Sequence, residues 1–179
     1  MHIFLSGPKG IGKSTVISKT LDILTAEAPI ELGGFFTWNG GEADPHIFMR
    51  PAQSGRGGEI YRLASYNSQK GGLDCDIHVF EQDGARILRE KTDPGLIIMD
   101  ELGFLESGAP LFREAVLDTL AGSVPVFGVL RQDDIPWHNS IKENPFVTLF
   151  DVNENNRGDL PRNLARLLKL SIIYKEVIG

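Results

Sequence analysis

Apolar residues follow two alternating rhythms along this chain. HIFLS, at His2–Ser6, is an apolar run of strand length, and from Ser14 the apolar positions Val16, Ile17, Leu21 and Leu24 recur at helical spacing. Gly34–Thr37 (GFFT) predicts a second strand. The stretch Asn39–Gly58, rich in Gly and Pro, predicts an irregular hairpin before a strand at Ile60–Tyr66. Leu96–Asp100 (LIIMD) is continuously apolar, the pattern of a strand buried on both faces. Pro110 opens a helix with Leu111, Phe112, Ala115, Val116, Thr119 and Leu120 on one face. Val124–Leu130 and Phe146–Val152 read as further strands, and Asp159 caps a last helix whose buried stripe is Leu160, Leu164, Leu167 and Leu168.

Ile77–Lys91 is ambiguous. Phe80, Gly84, Ile87 and Leu88 fit one helical face, yet Asp83-Gly84 is a hairpin signal and an interior glycine costs about 1 kcal/mol relative to alanine. The helix is preferred, because a long charged crossover suits the strand that follows. Strands alternating with helices predict an α/β fold with a parallel sheet covered on both faces. No internal repeat or linker divides the chain, so residues 1–179 read as a single domain.

Composition narrows the class. An apolar content of 41% and a charged content of 23% are those of an ordinary globular protein. No apolar stretch is long enough to span a membrane, and no secretory signal is evident at the start. Cys75 is the only cysteine, so no internal disulfide can form, which suits a reducing cytoplasm. Acidic residues outnumber basic ones by 24 to 18, which argues against a broad nucleic-acid face but not against one positive pocket for a nucleotide.

The candidate chemistry begins between the first strand and the first helix. GPKGIGKS, at Gly7–Ser14, matches the Walker A pattern G-x-x-x-x-G-K-[ST] at every fixed position. Glycines let the backbone wrap without side-chain clashes, so successive N–H groups can point at phosphate oxygens. A helix starting near Ser14 adds its unpaired N–H groups and positive dipole end. Gly7, Pro8, Lys9, Gly10, Ile11, Gly12, Lys13, Ser14 and Thr15 are therefore the candidate nucleotide-binding residues. Lys13 should reach the β- and γ-phosphates, Ser14 should ligate Mg²⁺, and Thr15 should serve the α-phosphate. For Lys9, the extra cation in the loop, a solvent-facing position is the plainer reading.

A triphosphate site also needs a carboxylate at a neighbouring strand end to hold Mg²⁺. LIIMDE supplies it in Walker B form: Asp100 as the metal-orienting group and Glu101 as the group that polarises an attacking water. Asp100-Glu-Leu-Gly103 also fits D-x-x-G, but the guanine-reading Asn/Thr-Lys-x-Asp segment of switch GTPases is absent.

Taken in order, FLSGPKGIGKST, GGFFT, IIMDELGFLES, LFREAV and VNENNRGDLP resemble the THEP-type nucleoside-triphosphatase family over nearly the whole chain. The resemblance implies a three-layer P-loop fold with a RecA-like, mostly parallel sheet and the acidic strand beside the first. It also implies Mg²⁺-dependent hydrolysis of nucleoside triphosphates, ATP and GTP among them, to diphosphate and phosphate, with loose choice of base. Lys13, Ser14, Asp100 and Glu101 fall on the family's phosphate and metal positions, and Asn156 and Arg157 on its late pair near the nucleotide. Arg157 either stacks on the base, contacts phosphate, or is a surface arginine at a helix start.

Two departures stand out. Relatives carry an Arg- and Gly-rich segment after the second strand, where this chain is more irregular, with Arg50 and Arg56 as stand-ins. Arg131 follows the strand VFGVL; at a strand's C-terminal end it is a candidate cis-acting catalytic arginine, with an exposed loop residue as the alternative.

Rival functions are a nucleotide or small-molecule kinase on the same fold, with Asn39–Gly58 as its acceptor site, and a regulatory nucleotide-binding module with slow hydrolysis. Other chemistry finds no support: His2, His46, His78 and His138 lack metal-ligand spacing, and Trp38 and Trp137 suit packing better than base stacking. The expected partner is a nucleoside triphosphate, without nucleic acid or membrane. The sequence sets no oligomeric state, and a monomer is compatible with this site.

Overall fold

In the computed structural model, residues 1–42, 44–53, 58–67, 69, 71–90 and 92–178 are described. The first half runs β1 (His2–Ser6), α1 (Lys13–Glu27), β2 (Leu32–Asn39), β3 (His46–Pro51), β4 (Tyr61–Asn67) and β5 (Gly72–Cys75). After α2 (Ile77–Val79), a π-helical stretch at Phe80–Gly84 and α3 (Ala85–Arg89) come β6 (Leu96–Leu102) and a 3₁₀ turn at Leu105–Gly108. The chain closes with α4 (Pro110–Ala121), β7 (Val126–Leu130), α5 (His138–Lys142), β8 (Val147–Asp151) and α6 (Leu160–Ile178).

Among the described residues, eight strands form one sheet in the order β5-β4-β3-β2-β6-β7-β1-β8. The strands β2, β6, β7, β1 and β8 pair in parallel. β3, β4 and β5 extend the β2 edge as an antiparallel meander. The acidic strand is not beside the first as expected: β7 lies between β6 and β1. The connection through α4 returns the chain to that gap, burying β7 on both sides by parallel pairing.

Two apolar layers cover the sheet. α1 and α6 pack on one face against Ile3, Leu5, Ile98 and Val129, while α3 and α4 pack on the other against Phe35, Met49, Met99 and Leu130. The ambiguous segment is helical from Ile77 to Arg89, with Lys91 outside the described residues, and Gly84 shows why it tolerates an interior glycine. A Cβ there would stand 2.7 Å from the Phe112 ring of α4, so the two elements approach only because that atom is missing. Gly34 plays a similar part in β2, with φ 79° and an ideal Cβ only 2.0 Å from the Ile98 carbonyl oxygen.

The predicted irregular hairpin contains a regular strand, β3, paired with β2 from Phe35↔Pro51 to Asn39↔Ile47. β5 and α5 were not anticipated. Arg56, one of the two arginines expected to stand in for the charged segment, lies outside the described residues. Among the described residues no helix is long and apolar enough to cross a membrane.

Candidate functional site

The loop between β1 and α1 rests on three glycines with positive φ: Gly7 at 142°, Gly10 at 80° and Gly12 at 105°. These values are strained for any side chain with a Cβ, which explains the glycines at these places. Gly12 precedes α1 without a side-chain cap, so no capping side chain satisfies the first-turn N–H groups, and a helix start of this kind favours an anion. The loop encloses a cleft of about 390 Å³, lined by Gly7–Gly10, Gly12–Thr15, Glu101 and the segment Arg131–Asp133. Lys13 is buried and its Nζ donates to the carbonyls of Gly7 at 2.8 Å and Pro8 at 3.0 Å. The ammonium is thus held inside the loop, where a polyanion would displace two carbonyl contacts.

Asp100 sits on the same sheet face as α1. It is buried, and burial first, then repulsion from Glu101, pushes its carboxyl up to about 7, against a hydrogen bond from Ser14 and the Lys13 charge. A hydroxyl and a carboxylate in contact are a hard-oxygen donor pair that fits Mg²⁺, whose other positions are normally filled by phosphate oxygens and water. A cation there would also relieve the cost of burying Asp100. Among the described residues no group of three or more His, Cys, Asp or Glu side chains is placed to hold a metal by itself. The pair therefore suits an ion that arrives with a phosphate ligand.

Glu101 follows Asp100 through a cis peptide, and its N–H donates to Thr37 Oγ1 at 3.1 Å. Arg131 Nε lies 2.7 Å from Asp133 Oδ2, and the guanidinium stands 5.0 Å from the Phe104 ring centroid. The missing side chain of Gly103 leaves room for this arm, since a Cβ would meet Arg131 Cδ at 2.6 Å. Glu106, buried behind them, accepts from the Gly103 N–H, and burial raises its carboxyl to about 7.

The cleft thus brings together most residues singled out from the sequence, including Lys9, which is exposed at its edge. Ile11, Asp100, Asn156 and Arg157 do not line it; Asp100 borders a neighbouring cleft that shares Ser14 with this one. Arg157 Nη1 instead donates to the Ile11 carbonyl at 3.3 Å, tying the loop after β8 to the phosphate loop. Asn156 shapes that same segment, donating to the Asp151 carbonyl at 2.7 Å and accepting from the Asn153 N–H at 2.9 Å.

Sequence reading missed Gln132, Asp133 and Thr37. The first two follow Arg131 at the C-terminal end of β7, so the rule that singled out Arg131 could have extended to them. Thr37 ends GGFFT, one of the segments that carry the family resemblance, but that segment reads only as a strand.

The family model described as NTPase matches residues 2–165. The nucleoside-triphosphatase THEP1 of Thermotoga petrophila is 32% identical over 180 residues, covering 96% of this chain and 94% of that protein. The nucleoside-triphosphatase THEP1 of Methanosarcina barkeri is 30% identical over 168 residues, covering 92% and 95%. A human cancer-related nucleoside-triphosphatase is 28% identical over 190 residues, covering 95% and 97%. The solution structure of a human cancer-related nucleoside triphosphatase superposes with a TM-score of 0.77 at 24% identity, covering 95% of this chain and 98% of that one. The crystal structure of THEP1 from Aquifex aeolicus gives 0.74 at 22% identity, covering 94% and 99%. Both share the fold.

Proposed function

The chain belongs to the NTPase family, and from that premise we propose that it hydrolyses nucleoside 5′-triphosphates to the diphosphate and phosphate with Mg²⁺ and little choice of base. The observation that supports this best is the convergence of the Gly7–Thr15 loop with Glu101 and Arg131 on one cleft, beside the Ser14–Asp100 pair.

Triphosphate binds along the loop N–H groups, and Lys13 turns from the Gly7 and Pro8 carbonyls to the β- and γ-phosphates. Ser14 and Asp100 would hold Mg²⁺, which when bound would neutralise charge on the phosphate oxygens. Glu101 orients a water in line with the γ-phosphorus and receives its proton. Arg131, already at the cleft, moves to the γ-phosphoryl oxygens as charge shifts to the leaving diphosphate. These contacts all address phosphate, and that is the basis for a loose choice of base. The cytoplasm suits this chemistry, supplying nucleotides and keeping Cys75 reduced.

A phosphate-release panel over ATP, GTP, CTP and UTP, with Mg²⁺ and with EDTA, tests the reading. It expects release from all four, abolished by chelation. Release from one base alone would remove the broad specificity, and no release from any would remove the activity.

A further inference from the structure

We propose that a second cleft, on the α1 side of β2 and β3, binds a nucleoside 5′-monophosphate as an acceptor for the γ-phosphoryl group. The inference rests on the triphosphatase reading and concerns the far side of that site. The second cleft, about 390 Å³, lies between α1 and the β2–β3 pair. Ser14 lines both clefts, while Asp100 borders the second and Glu101 the first. A ligand in the second cleft therefore meets the metal-binding end of the triphosphate site.

Strand register decides what such a ligand would meet. Phe36 is paired with Arg50 on one side and with Asp100 on the other, so the three form a single row across β3, β2 and β6. Two strand spacings put the backbones of Arg50 and Asp100 about 10 Å apart. The Arg50 guanidinium lies 5.1 Å from the Phe36 ring centroid, which carries its charge one strand closer to Asp100. An anion on Arg50 would sit within reach of the γ-phosphate.

The next row along β2 offers a flat surface instead. Trp38 pairs with Phe48, their rings 5.5 Å apart and only 25° from parallel, and Trp38 is half-buried in the wall of the cleft. Asp22 of α1 closes the other wall with a carboxylate. A guanidinium for a phosphate, an indole for a planar base and a carboxylate for a sugar hydroxyl or ring N–H match one nucleoside monophosphate. A pocket of this size, on a chain with 24 acidic and 18 basic residues, fits a single nucleotide better than a polymer.

The step balances without another reactant. A phosphate oxygen of the monophosphate attacks the γ-phosphorus, and the bond from that phosphorus to the β–γ bridging oxygen breaks. The donor leaves as one nucleoside diphosphate and the acceptor becomes another. With the second cleft empty, the water oriented by Glu101 attacks instead and hydrolysis results.

The test incubates the protein with ATP labelled at the γ-phosphate, Mg²⁺, and AMP, CMP, GMP or UMP in turn, following label in diphosphate and in free phosphate. The expected result is labelled diphosphate with at least one acceptor. Arg50→Gln and Trp38→Leu should each reduce that transfer about tenfold or more while phosphate release without acceptor stays at the wild-type level, which also reports that the variants fold. Label appearing only in free phosphate with all four acceptors would overturn the proposal, as would monophosphates that only compete with ATP. Failure of the triphosphatase reading would look different: no phosphate release when no acceptor is present.

Discussion

Arg131 and Glu101 face each other at the phosphate cleft, with 3.8 Å between Nη1 and Oε1. Asp133 holds the same guanidinium from the other side at 2.7 Å. The arginine is thus kept at the cleft by carboxylates that a γ-phosphate would outbid with more negative charge. Removing one such charge stabiliser costs about 10²-fold or more in turnover. Arg131→Ala should therefore lower kcat by roughly that factor with little change in nucleotide affinity. Steady-state phosphate release checks it, and an unchanged kcat would make Arg131 an ordinary loop residue.

Lys13 is the one ammonium buried in the loop's interior, among the described residues. Lys13→Ala removes charge-assisted bonds to two phosphates and should weaken a non-cleavable ATP analogue by about 10²-fold. Titration calorimetry measures this directly. Affinity within error of the wild type would mean that phosphate is held elsewhere.

Gly34 has no room for a methyl group. Its φ of 79° and the 2.0 Å approach of an added Cβ to the Ile98 carbonyl oxygen would force β2 and β6 apart. Gly34→Ala should destabilise the fold by about 3 kcal/mol or more, read as a lower midpoint in guanidinium unfolding. A shift too small to resolve would show that the pairing yields easily.

His2 is buried, and its Nδ1 accepts the Val126 N–H at 3.2 Å, a role open only to the neutral ring. Burial first, then the N-terminal charge, lowers it from 6.5 to about 4. The unfolded chain thus takes up the proton first as pH falls from 6.5 towards 4, and stability is lost across that window. Asp100 and Glu106, raised to about 7, work with the opposite sign, so the wild-type curve alone mixes the effects. The difference between wild type and His2→Gln isolates the histidine: the variant should gain about 2 kcal/mol on the wild type between pH 7.5 and pH 5. Denaturant curves at both pH values check it, and a difference that does not change with pH would contradict it.

Much of the parallel half of the sheet was legible because its signals are local. The phosphate loop announces itself through glycines that the backbone needs, and β6 through an unbroken apolar run ending in two acids. The 77–91 segment was readable as a helix against its Asp-Gly signal, although the partner that makes Gly84 useful, Phe112, lies far along the chain. β3 was hidden by its setting, with Pro45 before it and Pro51 at its end. β5 is an edge strand of four residues beginning at Gly72, too short for a period to emerge. The insertion of β7 between β1 and β6 is a property of strand pairing that no single segment records. The site divided in the same way. Loop and acidic residues carry their chemistry in sequence order, whereas the contacts of Arg131 with Asp133, Phe104 and Glu101 and of Thr37 with Glu101 exist only after folding.

The central claim is that Glu101 activates the water at a cleft whose other groups bind triphosphate. Its most direct test measures Glu101→Gln twice, by single-turnover release of phosphate from bound ATP and by calorimetric binding of a non-cleavable analogue. Near wild-type affinity with turnover reduced by about 10³-fold is the predicted result. Wild-type turnover in that variant, or an equal loss of binding and turnover, would contradict it.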